Sequence, residues 1–310
     1  MRVVVFDPAA DDIVSQLSQL VPQAELIAAP VSLDCHRVIG NATGLIARGS
    51  MLTSDLYDLA TRLRWVHLVA PPYVAPSDVV LTVTGGDAIA QMAELGMLLM
   101  LASVRKLSRS LMNQRMGVWD RWAQPLIRSK TVCIVGVGAV AEKLASILSV
   151  FGAKVTGVTR RAAVNGFTEL YPRERIHSAV SNADIVIALC ENSTETHKMI
   201  DESVIAAMRP DAHLIGLANG GVIDENALVE ALVQNRIAGA AMDDFQTSPL
   251  RGDDPLWSVP NLIVSPRLGR FPIGPSAADI DIISQNLAAF CADDLDRLAS
   301  RITAIDHKGY

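Results

Sequence analysis

The stretch TVCIVGVGAVAEKLASILSVFGAKVTGVTRR, residues 131–161, constrains the fold of this chain more than any other. It predicts a β-strand, a glycine turn (GVGAVA), a helix and a second strand, in that order. Gly136 permits the tight turn, Gly138 lets a phosphate approach the backbone, and Ala141 is small enough for the helix to pack on the strand. We therefore expect a βαβ unit that binds a dinucleotide; a purely structural turn is the alternative.

The end of the second strand indicates which dinucleotide binds. We expect the pyrophosphate on the N–H groups of Ala139 and Val140, at the start of the helix. An NAD site would place Asp or Glu at the end of the second strand, but this chain has Thr159, Arg160 and Arg161 there. Two guanidinium forks and a hydroxyl suit a 2′-phosphate. The sequence thus favours NADP, with NAD less expected; two solvated surface arginines are the alternative.

Length and composition point to two well-buried domains. The chain has 310 residues, of which 50% are hydrophobic and 19% are charged. A net charge of −6 and the lack of a basic run give no reason to expect nucleic-acid binding. The first residues, MRVVVFDP, read as a strand rather than a signal peptide, and the longest apolar run, Leu95–Val104, is too short to span a bilayer. We expect a soluble, cytoplasmic protein that makes no membrane contact.

The cysteines give no sign of a metal site. Cys35, Cys133, Cys190 and Cys291 are far apart, and no CxxC or Cys/His ligand spacing occurs. Free, buried thiols in a reducing compartment are the simplest interpretation. We therefore expect no bound metal.

Alternating strand-like and helix-like segments predict an α/β fold with parallel sheets in both halves of the chain. The helical pattern Ala90–Leu107 is apolar around most of its circumference, which is typical of a helix buried between domains or subunits. We expect it to lead into the second domain and to form a dimer contact; an ordinary core helix is the alternative. The last helix, from about Ile280 to Arg301, is expected to pack back on the first domain.

Several long segments together resemble the D-isomer-specific 2-hydroxyacid dehydrogenase family. They include AQMAELGMLLMLASVRKL, NQRMGVWDRW, STETHKMIDESVIAAMRPDAHLIGLANGGVIDENALVEAL, AGAAMDDF, DDPLWSVPNLIVSP and HKGY. The resemblance implies two Rossmann-like domains with parallel sheets, the N-terminal one discontinuous and completed by the C-terminal helix. It implies a substrate-side, flavodoxin-like domain of residues 1–98 with 282–310, a dinucleotide-binding domain of residues 99–281, and a homodimer.

Position by position, the chain departs from the catalytic pattern of the family it resembles. Where the family has an arginine that binds the substrate carboxylate, this chain has Asn219, and where the family has a histidine that transfers the proton, this chain has Arg267. Ser248 stands at the position of the glutamate that holds this histidine, and Gln246 stands at an acidic position just upstream. An amide carries no charge, and a guanidinium does not release its proton near neutral pH. This chain therefore lacks the arginine, glutamate and histidine that carry out catalysis in the family it resembles.

The glycine-rich loop that offers N–H groups to the carboxylate corresponds to LVAPPYV. Pro71 and Pro72 replace its small residues, and proline has no N–H to donate. Tyr73 follows and is a candidate proton donor, although a packing aromatic is the simpler interpretation. His67, on the strand that leads into the loop, is expected to be structural. Arg270, near Arg267, is a second candidate anion-binding group.

Other positions match the cofactor site of the family. Asp243 corresponds to an aspartate near the nicotinamide, with Asp244 beside it. We also assign Cys190 and Ala218, which follow two predicted strands, to the cofactor site. Three hypotheses remain open. The chain is an NADP(H)-dependent reductase of a non-carboxylate carbonyl or imine, or a catalytically silent NAD(P)-binding sensor or partner protein, or an ordinary 2-hydroxyacid dehydrogenase with an unusual site.

Overall fold

The structure is a computed structural model, and it describes residues 1–69, 74–84, 86–218, 220–270, 275–298, 301–302 and 305–306. The chain forms two compact units, one of Met1–Ala88 with Pro272–Tyr310 and one of Ile89–Phe271. Each junction lies about ten residues before the one expected from the sequence. At the first junction the difference arises because the helix that follows packs in the core of the second unit, and at the second because the helix Ala277–Cys291 packs from its first turn in the core of the first unit.

The first unit is built on a sheet of six strands. Along the chain these are β1 (Arg2–Phe6), β2 (Glu25–Ala28), β3 (Gly44–Ala47), β4 (Trp65–Leu68), β6 (Val80–Val83) and β14 (Arg301–Ile302), while β5 (Val74–Ala75) pairs with β15 (Ile305–Asp306). The spatial order is β2-β1-β3-β4-β6-β14, with β14 antiparallel to β6 and the other pairs parallel. The order of the five parallel strands is the flavodoxin-like one.

The helices of the first unit are α1 (Ala10–Leu20), α2 (Ser32–Val38), α3 (Ser54–Leu59) and α10 (Ala277–Cys291). Buried residues of α10, such as Ile283 and Phe290, share a core with Val3 and Ile13, so the C-terminal helix completes the N-terminal domain. This expectation is confirmed. The expected end of the helix near Arg301 is wrong, because Asp293 adopts a left-handed φ of 60° that stops the helix.

The second unit carries a fully parallel sheet of seven strands. They are β7 (Thr131–Val135), β8 (Lys154–Val158), β9 (Glu169–Tyr171), β10 (Ile185–Ala188), β11 (His213–Gly216), β12 (Gly239–Met242) and β13 (Leu262–Val264). Their spatial order is β9-β8-β7-β10-β11-β12-β13. This is the Rossmann order, which reverses direction between β7 and β10. Ligands of such sheets bind at that reversal, beyond the carboxyl ends of the strands. The predicted fold class is confirmed.

The helices of this unit are α4 (Gly86–Val104), α5 (Leu107–Met116), α6 (Ala139–Val150), α7 (Ile176–Ser181), α8 (Glu202–Ala207) and α9 (Glu225–Val233). The predicted helix over Ala90–Leu107 is interrupted, since Lys106 has a left-handed φ of 55° and begins a new helix. α4 is mostly buried, but Leu98 is 57% exposed. Among the described residues, no helix combines the length and apolar character that a membrane span requires.

The cysteines are free, as expected, but only Cys35 and Cys133 are fully buried. Cys190 and Cys291 are half-buried. Burial raises the pKa of the Cys190 thiol to about 11, so this side chain is an uncharged thiol near neutral pH.

Candidate active site

The glycine turn lies where the sheet of the second unit reverses direction. Gly136 follows β7 and has a φ of +95°, a conformation that side-chain-bearing residues rarely adopt. A Cβ atom on Gly136 would lie 2.5 Å from the backbone nitrogen of Cys190, which follows β10. The ends of the two strands therefore approach so closely that only glycine fits at this position.

Gly138 has a different role in the same turn. It is the N-cap of α6 in an extended conformation, with φ −126° and ψ −164°. A Cβ atom added here would meet no atom within 4 Å, so the backbone faces open space. Ala139 and Val140 follow in the first helical turn, whose N–H groups have no acceptor within the helix. This combination of open space and free N–H groups at a helix start suits a pyrophosphate.

A cleft of about 440 Å³ extends from the turn across the end of β8. Its lining includes five residues that the sequence predicted as cofactor ligands, namely Gly136, Thr159, Arg160, Arg161 and Cys190. Five other predicted cofactor residues lie outside this lining. Gly138, Ala139 and Val140 are at the start of α6, and Ala218 and Asp243 follow β11 and β12, further along the same sheet edge.

The arginines at the end of β8 are held by carboxylates. Arg160 pairs with Glu195, and Nη1 of Arg173 lies 3.9 Å from the same carboxylate. Arg161 pairs with Glu142 of α6 at 2.5 Å, and its N–H donates to Thr159 Oγ1 at 3.2 Å. All of these side chains are exposed enough to exchange partners with a ligand.

Sequence reasoning missed Arg173 and Glu195. Both lie on segments that join the cleft only through the strand order, one after β9 and one after β10. The polar run ENSTET directly after a predicted strand was the available signal, since β10 neighbours the glycine-bearing strand in any Rossmann sheet.

The side chain of Asp243 accepts hydrogen bonds from the loop that follows β13. Its Oδ1 accepts hydrogen bonds from Ser265 Oγ at 2.5 Å and from the N–H of Leu268 at 2.8 Å. Its Oδ2 accepts one from the N–H of Gly269 at 2.9 Å, and the residue is only 2% exposed. The carboxylate thus fixes the loop that carries Arg267.

Asp244 holds the side chain of Arg267. Nε of Arg267 lies 2.9 Å from Oδ1 of Asp244, and Nη2 donates to Oδ2 at 3.2 Å. The Asp244 side chain is 5% exposed, while that of Arg267 is 48% exposed. One edge of the guanidinium is therefore anchored by a buried charge, and the other edge remains available. The sequence indicated both residues but not their pairing.

Asn219 lies outside the described residues, but the next residue, Gly220, is packed closely against the segment that follows β12. A Cβ atom on Gly220 would lie 1.9 Å from the carbonyl oxygen of Phe245, so this position requires glycine. The side-chain amide of Asn192 donates to the Gly220 carbonyl at 2.8 Å. Glu225 accepts a hydrogen bond from the N–H of Gln246 at 2.5 Å, and burial raises the pKa of this glutamate.

The remaining predicted residues belong to the first unit or to surface loops. Pro71, Pro72 and Tyr73 lie outside the described residues. His67 is buried between Thr82 Oγ1 at 2.8 Å and Thr84 Oγ1 at 3.1 Å, and burial lowers its pKa to about 3. These contacts agree with a structural role.

Ser248, at the position of the family glutamate, is exposed and follows the strand β12 by several residues. The backbone of Arg270 ends the short helical turn Leu268–Arg270.

Comparison with known proteins places the chain in a family. The family model described as D-isomer specific 2-hydroxyacid dehydrogenase, NAD binding domain, matches residues 97–269. The chain belongs to the D-isomer-specific 2-hydroxyacid dehydrogenase family. The resemblance read from the sequence is thereby confirmed, and the chain is a member of a family of NAD(P)-dependent oxidoreductases.

The chain is similar to several proteins over most of its own length and of theirs. A glyoxylate/hydroxypyruvate reductase B of Pectobacterium carotovorum subsp. carotovorum (strain PC1) is 30% identical over 281 residues, which are 86% of this chain and 87% of that reductase. An NADPH-dependent glyoxylate/hydroxypyruvate reductase of Sinorhizobium meliloti, solved with NADP and malonate, has a TM-score of 0.73 at 22% identity, over 97% of this chain and 96% of that one. An acyclic imino acid reductase solved with NADPH and D-Arg has a TM-score of 0.79 at 19% identity, over 97% of this chain and 100% of that reductase.

Proposed function

We propose that this chain is an NADP(H)-dependent oxidoreductase whose substrate-binding groups differ from those of its family. The observation that carries the proposal is the open backbone above Gly138 at the start of α6, next to a cleft lined by three arginines. A bound nicotinamide cofactor would supply the hydride, and the chain would hold its pyrophosphate and adenosine ends. The four free thiols suit work in a reducing cytoplasm.

The preference for NADP over NAD rests on the end of β8. Thr159, Arg160 and Arg161 provide a hydroxyl and two guanidinium groups there, and Arg173 adds a third from the next segment. A 2′-phosphate is recognised by such forks, whereas the ribose hydroxyls of NAD are usually held by a carboxylate on that strand. The imino acid reductase and the Sinorhizobium reductase, both similar in fold, were solved with NADPH and NADP.

The substrate proposed is a carbonyl or imine compound without the 2-keto-carboxylate. Asn219 at the position of the carboxylate-binding arginine carries no charge, and Pro71 and Pro72 supply no N–H groups. Losing a charged donor to a carboxylate costs about 1.5–3 kcal/mol of binding. The similarity in fold to an imino acid reductase supports an imine as the reacting group. Because D-Arg, the ligand of that reductase, itself carries a carboxylate, the proposed lack of a carboxylate rests on Asn219, Pro71 and Pro72 alone.

Arg267 is proposed to stabilise the negative charge that develops on the reacting oxygen or nitrogen. A guanidinium group acts here by electrostatics and not as a general acid or base. Its anchored edge, held by Asp244, keeps the free edge in one place. The proton donor is proposed to be Tyr73 or solvent, with Tyr73 as a packing residue the alternative.

The second candidate function is a catalytically silent NADP(H) sensor or partner protein. The replacement of the family's arginine, glutamate and histidine by Asn219, Ser248 and Arg267 favours it, because general acid–base catalysis is typically worth about 10²–10⁴-fold in rate. Tight cofactor binding without turnover of any carbonyl or imine would favour this function over the first.

A homodimer is proposed from helix α5. This ten-residue helix has no buried residue, and its Leu107, Leu111, Met112 and Met116 are 44–68% exposed. An isolated helix of this length is marginal in water. A second copy of the chain covering this apolar surface would stabilise the helix.

The decisive test of cofactor binding uses Gly138. Because a methyl group there meets no protein atom, Gly138→Ala should leave thermal stability unchanged but weaken NADPH binding by about tenfold or more, which is roughly 1.4 kcal/mol. The control is Gly252→Ala, which also adds a methyl group in open space but lies in the loop between β12 and β13, away from the start of α6. Fluorescence titration with NADPH measures the effect. Wild-type affinity in the Gly138 variant would contradict the proposal.

A further inference from the structure

The carboxylate of Glu195 occupies the part of the cleft where the arginines converge. It pairs with Arg160, and Nη1 of Arg173 lies 3.9 Å from the same oxygen. Arg161 has a separate partner, Glu142, which lies outside the lining of the cleft. Glu195 is therefore a carboxylate of the cleft itself that bridges two guanidinium groups from two different segments.

A 2′-phosphate and this carboxylate would compete for the same donors. Both are anions, and each is recognised by the edge of a guanidinium group. A phosphate bound to Arg160 must therefore displace Glu195 or lie beside it, where like charges repel. NADH has a neutral hydroxyl at that position, so it can bind while the pair of Arg160 and Glu195 stays intact.

We propose that Glu195 is a specificity-determining residue that lowers the preference for NADPH by occupying the place of the 2′-phosphate. The inference rests on the proposed binding of a nicotinamide cofactor in this cleft and adds the residue that tunes its selectivity. Glu195 comes from the loop after β10 rather than from the end of β8, where the selective carboxylate of NAD sites normally lies. The chain thus combines arginines that attract the phosphate with a carboxylate that opposes it.

The size of the effect follows from exposure. The side chains of Arg160 and Glu195 are 78% and 59% exposed, so solvent screens their attraction. We expect Glu195→Gln to strengthen NADPH binding by about three- to tenfold and to change NADH binding by less than about twofold. The increase should shrink at high salt, because added ions screen both the attraction and the repulsion.

The test is calorimetric titration of the full chain with NADPH, NADH, 2′,5′-ADP and 5′-AMP. It compares the wild type with Glu195→Gln, Arg160→Ala and the control Glu174→Gln, which removes a charge next to Arg173 but outside the lining of the cleft. The inference predicts that Glu195→Gln alone strengthens binding, and only of the two ligands with a 2′-phosphate.

Two negative outcomes are distinguishable. If Arg160→Ala weakens NADPH and 2′,5′-ADP while Glu195→Gln changes neither, the role of Glu195 is overturned and the cofactor site stands. If the wild type binds none of the four ligands, both the role of Glu195 and the proposed function are overturned. If Glu174→Gln strengthened NADPH binding as much as Glu195→Gln does, the inference would also be overturned. The cause would then be the loss of one negative charge near the cleft rather than the loss of competition for Arg160.

Discussion

At the scale of single residues, two adjacent carboxylates organise the active-site loop in different ways. Asp243 accepts three hydrogen bonds from the loop, and Asp244 fixes the Arg267 side chain through two contacts. Asp244 is nearly inaccessible to water, so its charge is compensated mainly by Arg267. Asp244 and Arg267 therefore behave as a unit, in which one edge of the guanidinium is anchored by a buried carboxylate.

The pairing predicts non-additive stability effects. Arg267→Gln leaves the buried Asp244 carboxylate without its cationic partner, with only the N–H of Phe245 donating to it at 2.9 Å, and should lower the free energy of unfolding by about 1–3 kcal/mol. The double variant Asp244→Asn with Arg267→Gln should recover a substantial part of this loss, because no buried charge remains. Urea unfolding of the two single variants and the double variant measures the coupling. Strictly additive losses would show that the pair is not a unit.

Single-residue chemistry also sets the limit of what the sequence can predict. The grouping of Gly136, Thr159, Arg160 and Arg161 around one cleft was predictable, because their positions follow from the order of strand, turn and helix. The ion pairs of Arg160 with Glu195 and of Arg267 with Asp244 were not, because ion pairs depend on side-chain directions that the sequence pattern does not contain.

At the scale of elements, the alternation of strands and helices predicts both parallel sheets, but helix ends depend on single left-handed residues. Lys106 separates α4 from α5, and Asp293 prevents the helix α10 from continuing beyond Cys291. Lys is an unusual residue for this conformation, and Asp, although enriched in it, adopts it too rarely to mark a helix end by itself, which explains why the sequence predicted longer helices. The separation at Lys106 produces the exposed helix α5.

The exposed surface of α5 leads to a prediction about the oligomeric state of the protein. If a second copy covers α5, the combined substitution Leu111→Lys and Met112→Lys should convert the dimer to a monomer while each chain stays folded, since neither side chain is buried within the chain. Sedimentation or light scattering measures the mass. The matched control is Leu33→Lys on α2, where an equally exposed leucine is replaced, and it should leave the mass unchanged. A wild type that is already monomeric at micromolar concentration would contradict the dimer.

At the scale of the whole molecule, each unit has, among its described residues, one buried histidine whose pKa is lowered. His67 in the first unit has its pKa lowered to about 3, and His213 in the second has its pKa lowered to about 4, mainly by burial. Each also forms a hydrogen bond to a hydroxyl, to Thr82 Oγ1 and Ser103 Oγ respectively. In the unfolded chain the same groups take up protons near pH 6.5. Between those values the unfolded state binds more protons, so acid favours unfolding.

The predicted result is a loss of stability as the pH falls below about 6.5, with each histidine contributing about 1 kcal/mol per pH unit. His67→Gln, which keeps hydrogen-bonding capacity, should flatten this dependence in the thermal transition of the first unit. Scanning calorimetry at pH 7, 6 and 5 measures it, with exposed His177→Gln as the control. Equal pH dependence in the wild type and the His67 variant would contradict the assignment.

The central claim, an NADP(H)-dependent reductase with altered substrate chemistry, is tested most directly by one assay. NADPH oxidation is followed with a panel of 2-keto acids, apolar aldehydes and ketones, and cyclic imines. The account predicts turnover of non-carboxylate carbonyl or imine compounds and little or none of glyoxylate or hydroxypyruvate. A higher kcat/KM for glyoxylate or hydroxypyruvate than for every other compound would contradict it and restore an ordinary 2-hydroxyacid dehydrogenase.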